Sequence, residues 1–141
     1  MFQKSLKSKI YVDKSGLLAI LNELVDTEQR YVCVSRPRRF GKSMAANMLA
    51  AYYGSSEDTS ALFASLEISQ CAGYRDHLNQ YDVLKINMQD FLSESQSIED
   101  MLAHLTACLI RDLKNGFPQI DFSYADVYKR QIFNYNSVSF A

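Results

Sequence analysis

Apolar residues recur along this chain in two different rhythms. From Gly16 to Val25, "GLLAILNELV", Leu17, Leu18, Leu21, Leu24 and Val25 fall at helical spacing. "DTEQ" (26–29) is a polar break. Arg30 to Ser35, "RYVCVS", is short and β-branched with no polar residue in its middle, the pattern of a strand buried on both faces of a parallel sheet. From Lys42 the helical rhythm returns, with Ala45, Met48, Leu49 and Tyr52 on one face and Gly54 as the stop. "GSSEDTS" reads as a loop and "SALFASLEI" as a short helix or turn. "YDVLKINM" (81–88) reads as a second strand. Ser97 with Asp100 is a capping pattern. It opens an amphipathic helix through Ile98, Met101, Leu102, Leu105, Leu109 and Leu113, closed by Gly116-Phe117-Pro118. Strand, helix, strand, helix predicts an α/β fold of parallel strands with flanking helices.

The junction between the first strand and the second helix carries the chemistry. It reads "SRPRRFGKS" (35–43), a variant of the phosphate-loop signature G-x-x-x-x-G-K-[ST] with Arg36 where the leading glycine usually stands. A helix N-terminus aims backbone N–H groups and a positive dipole at an anion. Gly41 lets the backbone approach a phosphate oxygen. Lys42 supplies a point charge for the β- and γ-phosphates, and Ser43 a hydroxyl for Mg²⁺. Pro37 removes one N–H and pushes Arg36 toward extended geometry, so the cradle is expected to rest mainly on the amides from Arg39 to Ser43. The competing reading is a solvated basic turn.

Bulk properties change this picture little. The chain has 141 residues, 48% of them apolar and 22% charged, which suits one small globular domain. Its net charge is −1, so no global field draws it to nucleic acid or an anionic membrane. It has no apolar run of membrane-spanning length and no apolar signal core, which points to a cytosolic protein. Cys33, Cys71 and Cys108 are odd in number and far apart, as reduced core thiols would be. His77 and His104 are solitary, with His104 on the polar side of its helix.

In order along the chain, "YVDKSGLLAILNEL", "SRPRRFGKSMAANMLAAYYG", "LFASLEI" and "YDVLKINMQDF" resemble the bacterial and archaeal AAA-ATPase-like family. Its phosphate loop has the form R-P-R-R-F-G-K-[ST], in which an arginine at the first-glycine position is the norm. The resemblance covers roughly residues 1 to 115. It implies a P-loop NTPase fold, here with an incomplete sheet, that binds ATP with Mg²⁺. Many members also carry a C-terminal nuclease-like domain. Carried over by position, Arg38, Arg39, Phe40, Gly41, Lys42 and Ser43 form the nucleotide site, with Ser43 also on the metal. The roles of Arg38 and Arg39 stay open. Tyr11 and Val12 belong to the "YVDK" element, for which the resemblance to related ATPases implies a place near the adenine; the competing reading is simple core packing.

Hydrolysis needs acidic residues after an apolar strand, and none is found. Asp90 follows a segment interrupted by Lys85 and reads as a loop or helix-cap residue; Glu67 is a weaker candidate. The chain is therefore expected to be the N-terminal part of such a domain over residues 1–125, with hydrolysis confined to the full-length parent. "DVYKRQ" (126–131) resembles the translated transposon end used in sequencing libraries, so residues 126–141 are expected to be a non-native tail. The alternative function is a polyanion or nucleic-acid-binding module that uses Arg36, Arg38, Arg39 and Lys42 without nucleotide chemistry. Near-zero net charge, and Phe40 as the loop's lone aromatic, argue against it. A degenerate structural domain is a third reading, against which the retained "GKS" speaks. Self-association and the work driven by ATP are left open.

Overall fold

The computed structural model describes residues 2–35, 37 and 39–119. The chain divides after Lys85 into two compact units. In the first, α1 (Phe2–Leu6), α2 (Gly16–Leu24), α3 (Lys42–Tyr53), α4 (Ser60–Phe63), a 3₁₀ turn (Glu67–Gln70) and α5 (Tyr74–His77) follow one another. The second holds α6 (Met88–Glu94) and α7 (Ile98–Gly116).

α3 organises the first unit. Met48, Leu49, Tyr52 and Tyr53 lie on one stripe and are buried, together with Phe2, Leu18, Leu21, Phe63, Leu66, Ile68 and Tyr81. Aromatic rings fill much of this core. Phe2 stacks on Phe63 with centroids 5.2 Å apart, Tyr52 meets Phe63 edge-on at 5.3 Å, and Tyr53 meets Tyr81 edge-on at 5.4 Å. Edge-on and offset contacts suit the ring quadrupole, but a buried tyrosine also needs a partner for its hydroxyl. Asn22 of α2 provides it. The Tyr53 hydroxyl donates to Asn22 Oδ1 at 2.8 Å, Asn22 Nδ2 donates to the Tyr52 hydroxyl at 3.0 Å, and Tyr52 donates on to the Tyr74 carbonyl at 2.8 Å. One polar residue thus satisfies two buried hydroxyls. Burial pushes the Tyr53 hydroxyl far above its ordinary pKa, with Tyr52 and Tyr81 adding to the effect.

The predicted α/β architecture is corrected here. Among the described residues there is no strand, and the sole β-type pairing is an isolated parallel bridge between Gly54 and Tyr81. Residues 31–35 form no ladder. Val32 packs against the core, but Tyr31 is 77% exposed, with Arg30 over its ring, and Val34 is 38% exposed. A β-branched run favours extended backbone, but a strand also needs a neighbour to take its N–H and C=O groups.

At the start of the second predicted strand (81–88), Tyr81 does something else: with Asn79 just ahead of it, it finishes α3. The Asn79 N–H donates to the Tyr52 carbonyl at 2.7 Å, Asn79 Nδ2 to the Gly54 carbonyl at 2.7 Å, and the Tyr81 N–H to the Tyr53 carbonyl at 2.8 Å. These bonds satisfy the carbonyls that a helix C-terminus leaves without intrahelical donors. Asn79 adopts φ 57°, a left-handed conformation that asparagine tolerates. Beyond Tyr81, Leu84 and Ile86 are exposed, and Lys85 donates to Asn47 of α3. Gly54 is dictated by space, since a Cβ there would lie 2.6 Å from the Ala50 carbonyl oxygen.

The predicted helices are present, whereas α1, α5 and α6 are not among the expected elements, α6 beginning at Met88, the last residue of the predicted second strand. α2 and α3 begin and end within a residue of expectation, and the "SALFASLEI" segment forms α4 and the 3₁₀ turn. In the second unit Ser97 caps α7, its Oγ accepting from the Asp100 N–H at 3.1 Å, while Asp100 accepts from the Gln96 N–H at 3.2 Å. Met101 is buried, whereas Ile98 and Leu102 of the predicted apolar face are exposed. His104 meets the Phe91 ring edge-on and lies 3.9 Å from Glu94. His77 is not solitary, since its Nδ1 pairs with the Tyr81 hydroxyl at 2.5 Å. The three cysteines are free thiols, but Cys33 is exposed rather than a core residue. The adapter-like segment and tail at 126–141 lie outside the described residues.

Candidate functional site at the head of the third helix

The basic loop ends at the N-terminus of α3. Two residues in it are left-handed: Arg39 at φ 69° and Gly41 at φ 81°. Glycine accepts that conformation freely, while an arginine pays roughly 1–2 kcal/mol for it. Backbone strain of this kind persists where the surroundings over-determine it, often at ligand sites. Left-handed residues in a turn also let neighbouring N–H groups converge, the basis of anion-binding concavities. The Phe40 N–H donates to the Pro37 carbonyl at 3.4 Å, and the Ala45 N–H to the Gly41 carbonyl at 2.9 Å, starting the helix. Gly41 is the N-cap and brings no side chain to the first-turn amides.

The predicted site residues are distributed as follows. Arg39, Phe40, Lys42 and Ser43 are exposed around the turn, with Gly41 between them. Phe40 is 58% exposed. Arg36 and Arg38 lie outside the described residues. Tyr11 leans edge-on against Phe2, ring centroids 6.5 Å apart, and borders the core; burial raises its pKa, and Asp13 adds to this. Val12 is 61% exposed. Asp90 is neither a loop nor a cap residue: it sits in the first turn of α6, whose cap is Asn87. The Glu67 backbone N–H, rather than its carboxylate, makes the structural contact described next.

Sequence reasoning missed Lys14. Its ammonium donates to the Phe40 carbonyl at 3.4 Å and would stand 3.5 Å from a Cβ built on Gly41. The "YVDK" element is thereby in contact with the basic loop. Its flanks are tied down on the other side. Asp13 Oδ1 accepts from the Ser15 N–H at 2.8 Å, closing an Asx turn, and Oδ2 accepts from the Glu67 N–H at 2.8 Å. Ser15, fully buried, accepts from the Ile68 N–H at 3.1 Å through its Oγ. Burial alone would push the Asp13 carboxyl up, but the N–H groups of Glu67 and Ser15, with the Ser15 hydroxyl, hold it below the usual range. The signal in the sequence was "DKS", an Asp-x-Ser turn directly ahead of a helix.

A cationic turn at the head of a twelve-residue helix, with a hydroxyl at its second position, is chemically suited to a phosphorylated anion. A family model described as "Predicted AAA-ATPase" matches residues 2–136. The chain belongs to the AAA-ATPase-like family. No curated protein and no solved structure matches it. Among the described residues of this family member, no group of three His, Cys, Asp or Glu side chains could hold a metal by itself. Nor is any described helix long and apolar enough to cross a membrane.

Proposed function

We propose that the chain binds ATP, with Mg²⁺, at the turn from Arg38 to Ser43. The observation that carries this reading is the left-handed Gly41 at the head of α3, with the Lys14 ammonium beside it and Arg39 and Lys42 within two residues of it in the chain, in a member of an ATPase-like family. The donor set fits a polyphosphate: ammonium and guanidinium groups, first-turn amides and a glycine that keeps the backbone approachable. Mg²⁺ bridges and neutralises phosphate oxygens when bound, and the Ser43 hydroxyl is the group at hand to hold it. Arg38 and Arg39 add charge beside the phosphates, and Phe40 stands exposed for contact.

Adenine is assigned to Tyr11 and Val12. They precede Lys14, which reaches the loop, and Val12 is open to solvent. Positioning a water for hydrolysis needs carboxylates, and the motif "SRPRRFGKS" itself supplies none. The proposed function is confined to binding, with no hydrolytic step assigned to these residues.

Thermal unfolding with Mg-ATP and, separately, with duplex DNA tests the reading. A ligand that binds only the folded chain adds about 2.7 kcal/mol at a hundred times its dissociation constant. Stabilisation by Mg-ATP that survives moderate salt supports the nucleotide site. Stabilisation by DNA alone, falling steeply with salt, would instead identify a backbone-binding module.

A further inference from the structure

Two lysines reach the loop glycine by different routes, one as its neighbour in the chain and one in space. Lys42 follows Gly41 in the chain, while Lys14 arrives from the segment ahead of α2. We propose that Lys14 is a second phosphate-binding residue, its ammonium taking an oxygen of the nucleotide's phosphate chain beside Gly41. The proposal rests on the ATP-binding reading above and deepens it.

Lys14 has been delivered to this spot by its neighbours. Asp13 and Ser15, on either side of it, are both fastened to the 3₁₀ turn through the N–H groups of Glu67 and Ile68. With both flanks bound, the Lys14 backbone is fixed between two anchors and its side chain leaves toward the loop. There it stands 3.5 Å from the Cβ position of Gly41, a space it shares with the Met44 methyl at the same distance. Among the described residues Lys14 makes no ion pair. The adjacent Asp13 carboxylate is engaged by backbone amides. An ammonium has three donors, and the Phe40 carbonyl takes one of them at 3.4 Å, the long end of the hydrogen-bond range. A phosphate oxygen is the stronger acceptor, because charge on both partners shortens and strengthens the bond. The role of "DKS" is then to bring a cation to the phosphate loop from outside it.

The alternative is a strut, in which Lys14 merely braces the Phe40 carbonyl. Calorimetric titration separates the two, with Mg-ATP and Mg-tripolyphosphate as probes on the wild-type chain, Lys14→Met and Lys14→Arg. Methionine keeps the aliphatic stem and removes the charge. Loss of a charged hydrogen bond should weaken both probes about tenfold or more in Lys14→Met, and arginine should restore most of the affinity. The unfolding midpoint without nucleotide should stay within about 2 °C, as for an ordinary exposed substitution. Wild-type affinity in Lys14→Met, whether or not its midpoint falls, overturns the assignment and leaves the ATP reading standing. Weakened ATP binding with unchanged tripolyphosphate binding also overturns it, since Lys14 would then serve the nucleoside. A wild-type chain that takes up neither probe overturns both readings.

Discussion

Replacing Ser15 with alanine isolates the bond that fastens the segment ahead of α2 to the 3₁₀ turn. Ser15 is fully buried, and its Oγ is the acceptor for the Ile68 N–H at 3.1 Å. Ile68 is fully buried as well, so no water can take over that donor. Ser15 also stands at the N-cap of α2, a position where serine usually earns its stability by capping. Here its backbone is right-handed helical and its side chain makes no cap hydrogen bond, so lost capping contributes nothing. What remains is chiefly a buried N–H left without a partner, which costs about 1–3 kcal/mol, beside the loss of the Ser15 hydroxyl's contact with the more exposed Asp13 carboxylate. Taking about 2 kcal/mol, and about 4–8 °C of midpoint per kcal/mol for a unit of this size, the variant should melt roughly 8–16 °C lower. The assay is thermal unfolding by circular dichroism beside Ser56→Ala, an exposed serine whose loss should cost no more than about 0.5 kcal/mol. A Ser15→Ala chain that melts within about 2 °C of wild type would refute the reasoning, because Ile68 would not then depend on that hydroxyl.

Three further outcomes follow from the same contacts. Asp13 titrates lower in the folded chain than its ordinary 3.8, so its stabilising contribution is present above that value and fades as the pH falls through the folded pKa; the midpoint difference between wild type and Asp13→Asn should therefore shrink in acid, and a constant difference would contradict it. Asn22→Ala strips partners from the Tyr52 and Tyr53 hydroxyls at once and should cost about 2–4 kcal/mol in urea unfolding, whereas a loss under about 1 kcal/mol would show that the hydroxyls find other partners. Gly41→Ala meets only ordinary contacts at 3.5 Å, so its penalty comes from the left-handed φ and should be about 1–2 kcal/mol; an unchanged midpoint would mean that the turn relaxes freely.

The helices were legible because their information is local. The stripe of Met48, Leu49, Tyr52 and Tyr53, and the Ser97–Asp100 cap, can be read from spacing alone. That the predicted sheet does not form among the described residues was not legible, because pairing is non-local. "YVCVS" declares an extended preference but says nothing of which backbone would accept its hydrogen bonds. "YDV" illustrates the point, since Tyr81 spends its N–H and C=O on residues 53 and 55 at the end of α3 rather than on a ladder. At the candidate site, the glycine, lysine and serine were visible in the motif, and Gly41 proves left-handed where a turn needs it. Lys14 was not visible. Its place depends on Asp13 and Ser15 reaching residues more than fifty positions away, a contact that no spacing rule encodes.

The central claim is tested most directly by calorimetric titration of Mg-ATP into the wild-type chain and Lys42→Ala, both first shown to be folded. Saturable binding to wild type, weakened about tenfold or more in the variant, is the predicted result. Equal affinities, or a folded wild-type chain that takes up no nucleotide, would contradict an ATP site at the head of α3.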